Sequence, residues 1–409
     1  MKKYIAVFIL IAIVFCSMIL QSCDENEIEI NNNDTGNTEM DSEIPEEDAN
    51  VNKPAGLMRD ITTMELVYDM GMGINLGNTM EVCGNWIDSG SLDNYETAWG
   101  SPLTTEALIV KYAEAGFSTV RIPVSWSNMM LPDYVIHPDL LDRVRQIVDW
   151  VIDNGMYAIV NIHWDMGWIE EMFPENEAEA FKKYESVWTQ VCERFKDYSD
   201  YLMFESMNEP GFDNIWNRYG GENPEKPKAY DLLNRINQRF VELVRASGSN
   251  NAERHLLIAG YFTDIENTCD PLYQMPGDPK GRCALSVHYY TPWQFVGMDK
   301  DESWGKAQRE WGSSADFDEL NRLMDMMKTN YVDKGIPVIV GEYSMCSTKE
   351  KEYSDLWEIS VTRAIYERGM CPVLWDIQGS STGFLDRNKL TFGNIEVLTA
   401  MQEIAALRD

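Results

Sequence analysis

The chain of 409 residues is long enough for two or three domains, although a single α/β barrel can occupy about 250 residues or more. A composition that is 44% hydrophobic and 11% aromatic supports a large core, and thirteen Trp make sugar-binding faces a candidate use for the surplus. The formal net charge of −33 repels a phosphate backbone or an anionic leaflet, which excludes nucleic acid as a partner and leaves a neutral polysaccharide acceptable.

At the start of the chain, Lys2 and Lys3 precede an apolar run over 4–20, followed by Gln21, Ser22 and Cys23. A short basic region before an apolar stretch without a stop-transfer flank is a secretory signal rather than a spanning helix. The ending Leu20-Gln21-Ser22-Cys23 resembles a bacterial lipobox, which implies a signal peptide over 1–22, cleavage before Cys23 and lipid on its thiol. An exported protein is expected, lipid-anchored at the outer membrane or cell surface, with the periplasmic face as the other location. Its only membrane contact is then the anchor, and a monomer is expected. Residues 24–48 are rich in Asp and Glu and contain no Lys or Arg, so 23–56 reads as an acidic, disordered tether that cannot bury enough apolar surface to fold.

Beyond the tether, short β-rich apolar runs recur at 72–75, 119–124, 157–162, 202–206, 255–259, 284–287, 337–340 and 373–375. Helical periodicity fills the spaces at 106–115, 140–153, 178–195, 232–246, 317–327 and 354–367, with Gly116, Gly155 and Gly369 as stops. The segment 261–282 carries two Pro and several turn formers, so the fifth unit is expected to be mostly loop. Eight strands, each with room for a helix behind it, predict an α/β fold of the (β/α)8 TIM-barrel type over 57–409. Six Cys lie in this region, Cys83, Cys192, Cys269, Cys283, Cys346 and Cys371. They allow fifteen full pairings and none is selected; free buried thiols are an equal reading, and no two have the close spacing of a zinc site.

A barrel enzyme collects its chemistry where strand ends converge on the open mouth. Glu209 follows the fourth run in Met207-Asn208-Glu209-Pro210, and Glu342 follows the seventh in Gly341-Glu342-Tyr343. Strands four and seven face each other across an eight-stranded mouth, and a pair of carboxylates is the minimum for glycosidic cleavage: one protonated to expel the leaving oxygen, one ionised to attack the anomeric carbon. Arg121, ending strand two, is placed to hold Glu342 as the anion, which would in turn raise the Glu209 carboxyl. Asn208 can reach a sugar 2-hydroxyl. Of only four His, His163 and His288 end strands three and six, and Tyr290 is placed to hydrogen-bond Glu342. Trp375 ends strand eight, where an indole face can stack on a pyranose; Trp126, Trp164, Trp168, Trp216 and Trp293 also follow strand ends. His163 with Asp165 and His288 would be a poor metal set, and neither metal nor organic cofactor is expected.

The constellation Arg121, His163, Asn208, Glu209, His288, Tyr290, Glu342 and Trp375 resembles glycoside hydrolase family 5, the family of many bacterial cellulases and related endo-glycanases. The run from Gly73 to Thr79 is similar to the first-strand motif of its endoglucanase branches. What the resemblance implies is a retaining mechanism with Glu209 as general acid/base and Glu342 as nucleophile, acting on plant β-glucan, with Asn75, Trp164, Trp168, Trp293 and Trp375 toward substrate. Retention implies carboxyl groups about 5–5.5 Å apart. The chain departs from the family where Ile74 stands for a common Trp, Trp164 for a frequent second His, and Trp375-Asp376-Ile377 for a frequent Trp-Asp-Asn. Substrate choice is therefore open: cellulose-type, mixed-linkage or xyloglucan chains are expected first, mannan or xylan second, and a surface lipoprotein that binds glycan without cutting it third.

Overall fold

A computed structural model describes residues 56–220, 223–379 and 384–408. The signal segment, Cys23 and all of the tether but its last residue lie outside the described residues.

Eight parallel strands close into a barrel in chain order: β1 Gly73–Asn75, β2 Thr119–Ile122, β3 Tyr157–Asn161, β4 Leu202–Glu205, β5 Leu256–Ala259, β6 Cys283–His288, β7 Val338–Tyr343 and β8 Cys371–Leu374. All eight coincide with the apolar runs. Closure depends on Gly73, which pairs with Thr119 on one side and Val373 on the other. A Cβ at Gly73 would meet a Val373 methyl at 2.9 Å, so only glycine lets β1 and β8 approach.

Amphipathic helices cover the barrel. Glu106–Glu114, Pro138–Asp153, Glu177–Phe195, Lys226–Ala246, Ser314–Asn330 and Lys351–Glu367 follow the periodicity and bury residues such as Val144, Ile147, Trp188, Phe240 and Val361 against the outward-facing Val120, Val160 and Phe204. After β5 only the four-residue helix Ile265–Thr268 forms, in keeping with a loop-rich fifth unit. The lower interior is filled by Ile159, Met203, Leu257, Ala284, Ile339 and Val373 packed on Leu66 and Val67 of a helix Thr63–Asp69 and on Met70 at its C-cap, which close the end of the barrel away from the chemistry. A capping box between Thr62 and Glu65 starts that helix, and Thr63 Oγ1 lies 2.9 Å from His255 Nδ1, which gives this third His a structural role. The six Cys are free, and Cys83, Cys192 and Cys371 are buried.

Two irregularities position the site. The β6–β7 register shifts between Val287 and His288, and the β7–β8 register between Val340 and Tyr343. Bulges of this kind re-aim side chains at the rims of barrels. Here they fall on the segments that carry His288 and Glu342.

Candidate active site

The site is organised around one buried cation. Arg121, on β2, has no solvent exposure and spreads its guanidinium over four acceptors. Nε donates to Glu205 Oε2 at 2.7 Å, Nη1 to Glu342 Oε1 at 2.8 Å and to Asn75 Oδ1 at 3.0 Å, and Nη2 to Asn208 Oδ1 at 2.8 Å. Charge-assisted hydrogen bonds of this length fix geometry as well as charge. Tyr290 completes Glu342, its hydroxyl donating to Oε2 at 3.0 Å.

Glu205 was not anticipated. It sits in the apolar run of β4, wholly buried, with Oε1 accepting from Ser286 Oγ at 2.7 Å and Oε2 also accepting from Asn161 Nδ2 at 3.0 Å. A carboxylate in a run such as Leu202-Met203-Phe204-Glu205 needs a buried cation, and that requirement was the signal available in the sequence. The Asn161 carbonyl in turn accepts the Trp126 indole N–H, and Asn161 Nδ2 lies 3.4 Å from His163 Nδ1.

Across the mouth, Glu209 is exposed to 43% of its side chain while Glu342 is exposed to 7%. A carboxylate oxygen of each and a ring nitrogen of His288 all lie within 4.8 Å of one another. Carboxylate oxygens this near to each other are in keeping with the short carboxyl separation of a retaining glycosidase. His288 Nδ1 stands between the pair, 2.7 Å from Glu209 Oε1 and 3.6 Å from Glu342 Oε2. These three side chains are close enough to be weighed as metal ligands. Their surroundings oppose it: Arg121 already supplies a fixed positive charge to Glu342, and Tyr290 occupies its other oxygen.

The carboxyls are tuned differently from the sequence-based expectation. Burial lifts Glu342 above the usual range, against the pull of His288 and Arg121, and the neighbouring Glu209 adds to the rise. Loss of water also raises Glu209, but the hydrogen bond and charge of His288, helped by Arg218 and Arg121, outweigh it and hold this carboxyl low. Glu209 was expected to be the raised member. The physical reason is His288, whose Nδ1 touches Glu209 more closely than Glu342. Burial, followed by the charges of Arg121 and His288, drives His163 well below its ordinary value, so this ring stays neutral.

The remaining candidates divide. Trp375 lies at the mouth, its indole stacked on His163 with centroids 5.7 Å apart and planes 9° from parallel. Gly77 lies against its ring, where a Cβ would come within 3.0 Å of Cζ2. Trp164 is 37% exposed on the loop after β3, and Trp293 is half-buried with its ring seated on Gly297. Asn208 spends Oδ1 on Arg121 and keeps its amide donors for the cleft. Asn75 is a correction: it is wholly buried, its Nδ2 donating to Gly341, Val373 and Leu374 carbonyls, so it ties β1 to β7 and β8 and does not reach substrate. Trp168 is a second correction, with Lys183 Nζ 4.3 Å over its ring, Phe173 stacked nearby, and its N–H donated to Asp165. Its faces are closed to a sugar. Trp126 and Trp216 are likewise buried in the core.

Comparison with known proteins agrees with this geometry. The family described as Cellulase (glycosyl hydrolase family 5) matches residues 80–381. Endoglucanase B of Clostridium cellulovorans is 35% identical over 84% of this chain and 76% of its own. A GH5-4 broad specificity endoglucanase from an uncultured bovine rumen ciliate superposes with a TM-score of 0.77 at 34% identity, covering 85% of this chain and 99% of its own. A lichenase from Caldicellulosiruptor sp. F32 in complex with cellotetraose gives a TM-score of 0.77 at 32% identity, covering 86% and 97%.

Proposed function

The chain belongs to the cellulase family, glycosyl hydrolase family 5, and on that premise we propose that Glu342 and Glu209 cut internal β-1,4 bonds of plant glucan by double displacement. The observation that carries the assignment is the pair of carboxylates at the ends of β4 and β7 with oxygens within 4.8 Å, only one of them bound to Arg121. Glu342, fixed at both oxygens by Arg121 and Tyr290, attacks the anomeric carbon. Glu209 gives its proton to the departing glycosidic oxygen. The covalent glycosyl-enzyme so formed is hydrolysed when Glu209 takes a proton from water, which attacks from the leaving-group face and restores the β-configuration. Asn208, held by Arg121, turns its amide donors to the 2-hydroxyl, a contact that strengthens as positive charge builds at the anomeric carbon.

His288 stands between the two carboxyls. Its Nδ1 is within hydrogen-bond reach of Glu209 Oε1 at 2.7 Å and stands 3.6 Å from Glu342 Oε2, so it joins the two carboxyls electrostatically. Glu209 and Glu342 then titrate as a coupled pair. As pH falls, Glu342 gains a proton and the nucleophile is lost; because burial raises this carboxyl, kcat/KM is expected to drop at a midpoint above the ordinary glutamate value of about 4.3. At high pH the last shared proton is lost and the rate falls again. A profile that stays flat down to about pH 4 would contradict this assignment.

The substrate is tested by reducing-sugar release from carboxymethylcellulose, mixed-linkage glucan, xyloglucan, mannan and xylan. Cleavage of the glucans is expected, with mixed-linkage glucan supported by the likeness to a lichenase. Release from mannan or xylan alone would overturn the glucanase assignment, and tight glycan binding without hydrolysis would overturn catalysis.

A further inference from the structure

Resting on the endoglucanase reading, we propose that Arg387 is a positioning residue, which holds the Trp375 indole at the mouth by gripping the backbone carbonyls of Gly77 and Asp376. Arg387 directly follows a short strand, β9 Leu385–Asp386, that pairs antiparallel with β10 Thr391–Phe392. Phe384, just before β9, packs edge-on against Phe117 with centroids 6.1 Å apart, and the Arg387 N–H donates to Gln378 Oε1 at 2.7 Å. The backbone that carries the guanidinium is therefore anchored from both sides.

The upper end of the β1–β8 seam needs such a support. The ladder between these strands pairs Gly73 with Val373 and Ile74 with Leu374, and then stops. Beyond it the Leu76 N–H turns to the Arg121 carbonyl on β2, and the next link back is the Gly77 N–H donating to the Asp376 carbonyl at 3.1 Å. Arg387 doubles that link: Nη1 donates to the Gly77 carbonyl at 2.7 Å and Nη2 to the Asp376 carbonyl at 2.6 Å. The Asp376 carboxylate balances the charge at 3.2 Å, and Nη1 also reaches Ser101 Oγ at 3.3 Å. Both side chains of this ion pair are without solvent exposure. A planar fork can bridge two acceptors in a fixed geometry, which a single ammonium cannot do.

Trp375 is the residue these contacts surround. Its backbone N–H donates to the carbonyl of Tyr343, the residue after the nucleophile, at 3.0 Å. One face of its indole lies against His163, and its Cζ2 lies so close to Gly77 that a Cβ there would come within 3.0 Å. The same Cβ would meet the Asp376 carbonyl oxygen at 2.7 Å, so Gly77, Asp376 and the indole share one tight contact. If Gly77 and Asp376 part, the ring loses its seat on Gly77 and its parallel alignment with His163. Functional side chains keep their geometry only when neighbouring packing and hydrogen bonds lock them, and a shift of about 1 Å can cost on the order of 10²-fold in rate. Arg387 acts through Trp375 and not on the reacting atoms.

The test reads Trp375 directly and then through turnover. In protein labelled with fluorotryptophan, the Trp375 fluorine resonance is the one missing from Trp375→Phe. Arg387→Met should shift or broaden that resonance, and kcat/KM on mixed-linkage glucan should fall about tenfold or more. In the Trp375→Ala background the same substitution should cost about twofold at most, because the residue through which it acts is gone. Arg387→Lys keeps the charge beside Asp376 but not the two-pronged grip; it should fall between the wild type and Arg387→Met, and it reads the same resonance should Arg387→Met not fold. Asp376→Asn keeps both carbonyl acceptors and should lose less than Arg387→Met. An unmoved Trp375 resonance in a folded Arg387 variant, or a loss as large in the Trp375→Ala background as in the wild type, would overturn the assignment. A wild type that cuts no glucan would overturn the endoglucanase reading alone, since the resonance reports the Arg387 grip without turnover.

Discussion

Glu342→Ala is expected to lower kcat by about 10⁴-fold or more on every β-glucan, the scale on which deleting a covalent nucleophile acts. The loss should be independent of leaving group, because without Glu342 no glycosyl-enzyme forms however readily the aglycone departs. Glu209→Ala should behave differently. Acid assistance is worth roughly 10²–10⁴-fold and matters most where the leaving oxygen is poor, so the variant should be crippled on polysaccharide and far less affected with an activated aryl leaving group. That contrast distinguishes the two carboxylates more sharply than their positions do, since His288 lies within reach of both. Similar leaving-group dependence in the two variants would contradict the assignment of separate roles.

Arg121→Met should carry the largest cost in stability of any change at the site. It leaves Glu205 and Glu342 buried without their cation and strips a donor from Asn75 and Asn208. Breaking a buried ion pair from one side costs about 3–5 kcal/mol, because the abandoned charge is destabilised in a poorly solvated place. The midpoint of urea unfolding measures this. The decisive comparison is with Arg121→Met/Glu205→Gln, which removes one of the abandoned charges. Stability should partly return in the double variant, while activity should not, because Glu342 still lacks its partner. Additive losses in stability would mean that Arg121 and Glu205 are not coupled, against the 2.7 Å contact between them.

Much of this site was legible because a barrel converts strand order into spatial order. In a closed eight-stranded barrel the residues in or just past runs two, four, six and seven have to converge, and Arg121, Glu209, His288 and Glu342 do so. Roles that depend on which face of a side chain is covered were not legible. Trp168 and Trp164 both follow β3, yet one is capped by Lys183, fifteen positions further on, and the other faces solvent. Asn75 occupies a position suited to substrate, but the strand closure beside Gly73 brings the β7 and β8 carbonyls onto its amide. Glu205 escaped notice because its cation lies 84 residues away in sequence. The helix Thr63–Asp69 was missed for a related reason: Leu66, Val67 and Met70 make too short a stripe to read as a helix, and only the open end of the barrel supplies the surface they cover.

The assignment of Glu342 as nucleophile and Glu209 as acid/base is tested most directly by the configuration of the azide products. With an activated β-cellobioside, Glu342→Ala in azide should yield the α-glycosyl azide, since azide replaces the missing carboxylate in a single displacement. Glu209→Ala should yield the β-glycosyl azide, since azide then resolves a glycosyl-enzyme already formed on Glu342. Proton NMR of the two products reads the result, and β-azide from Glu342→Ala with α-azide from Glu209→Ala would reverse the roles given to the pair.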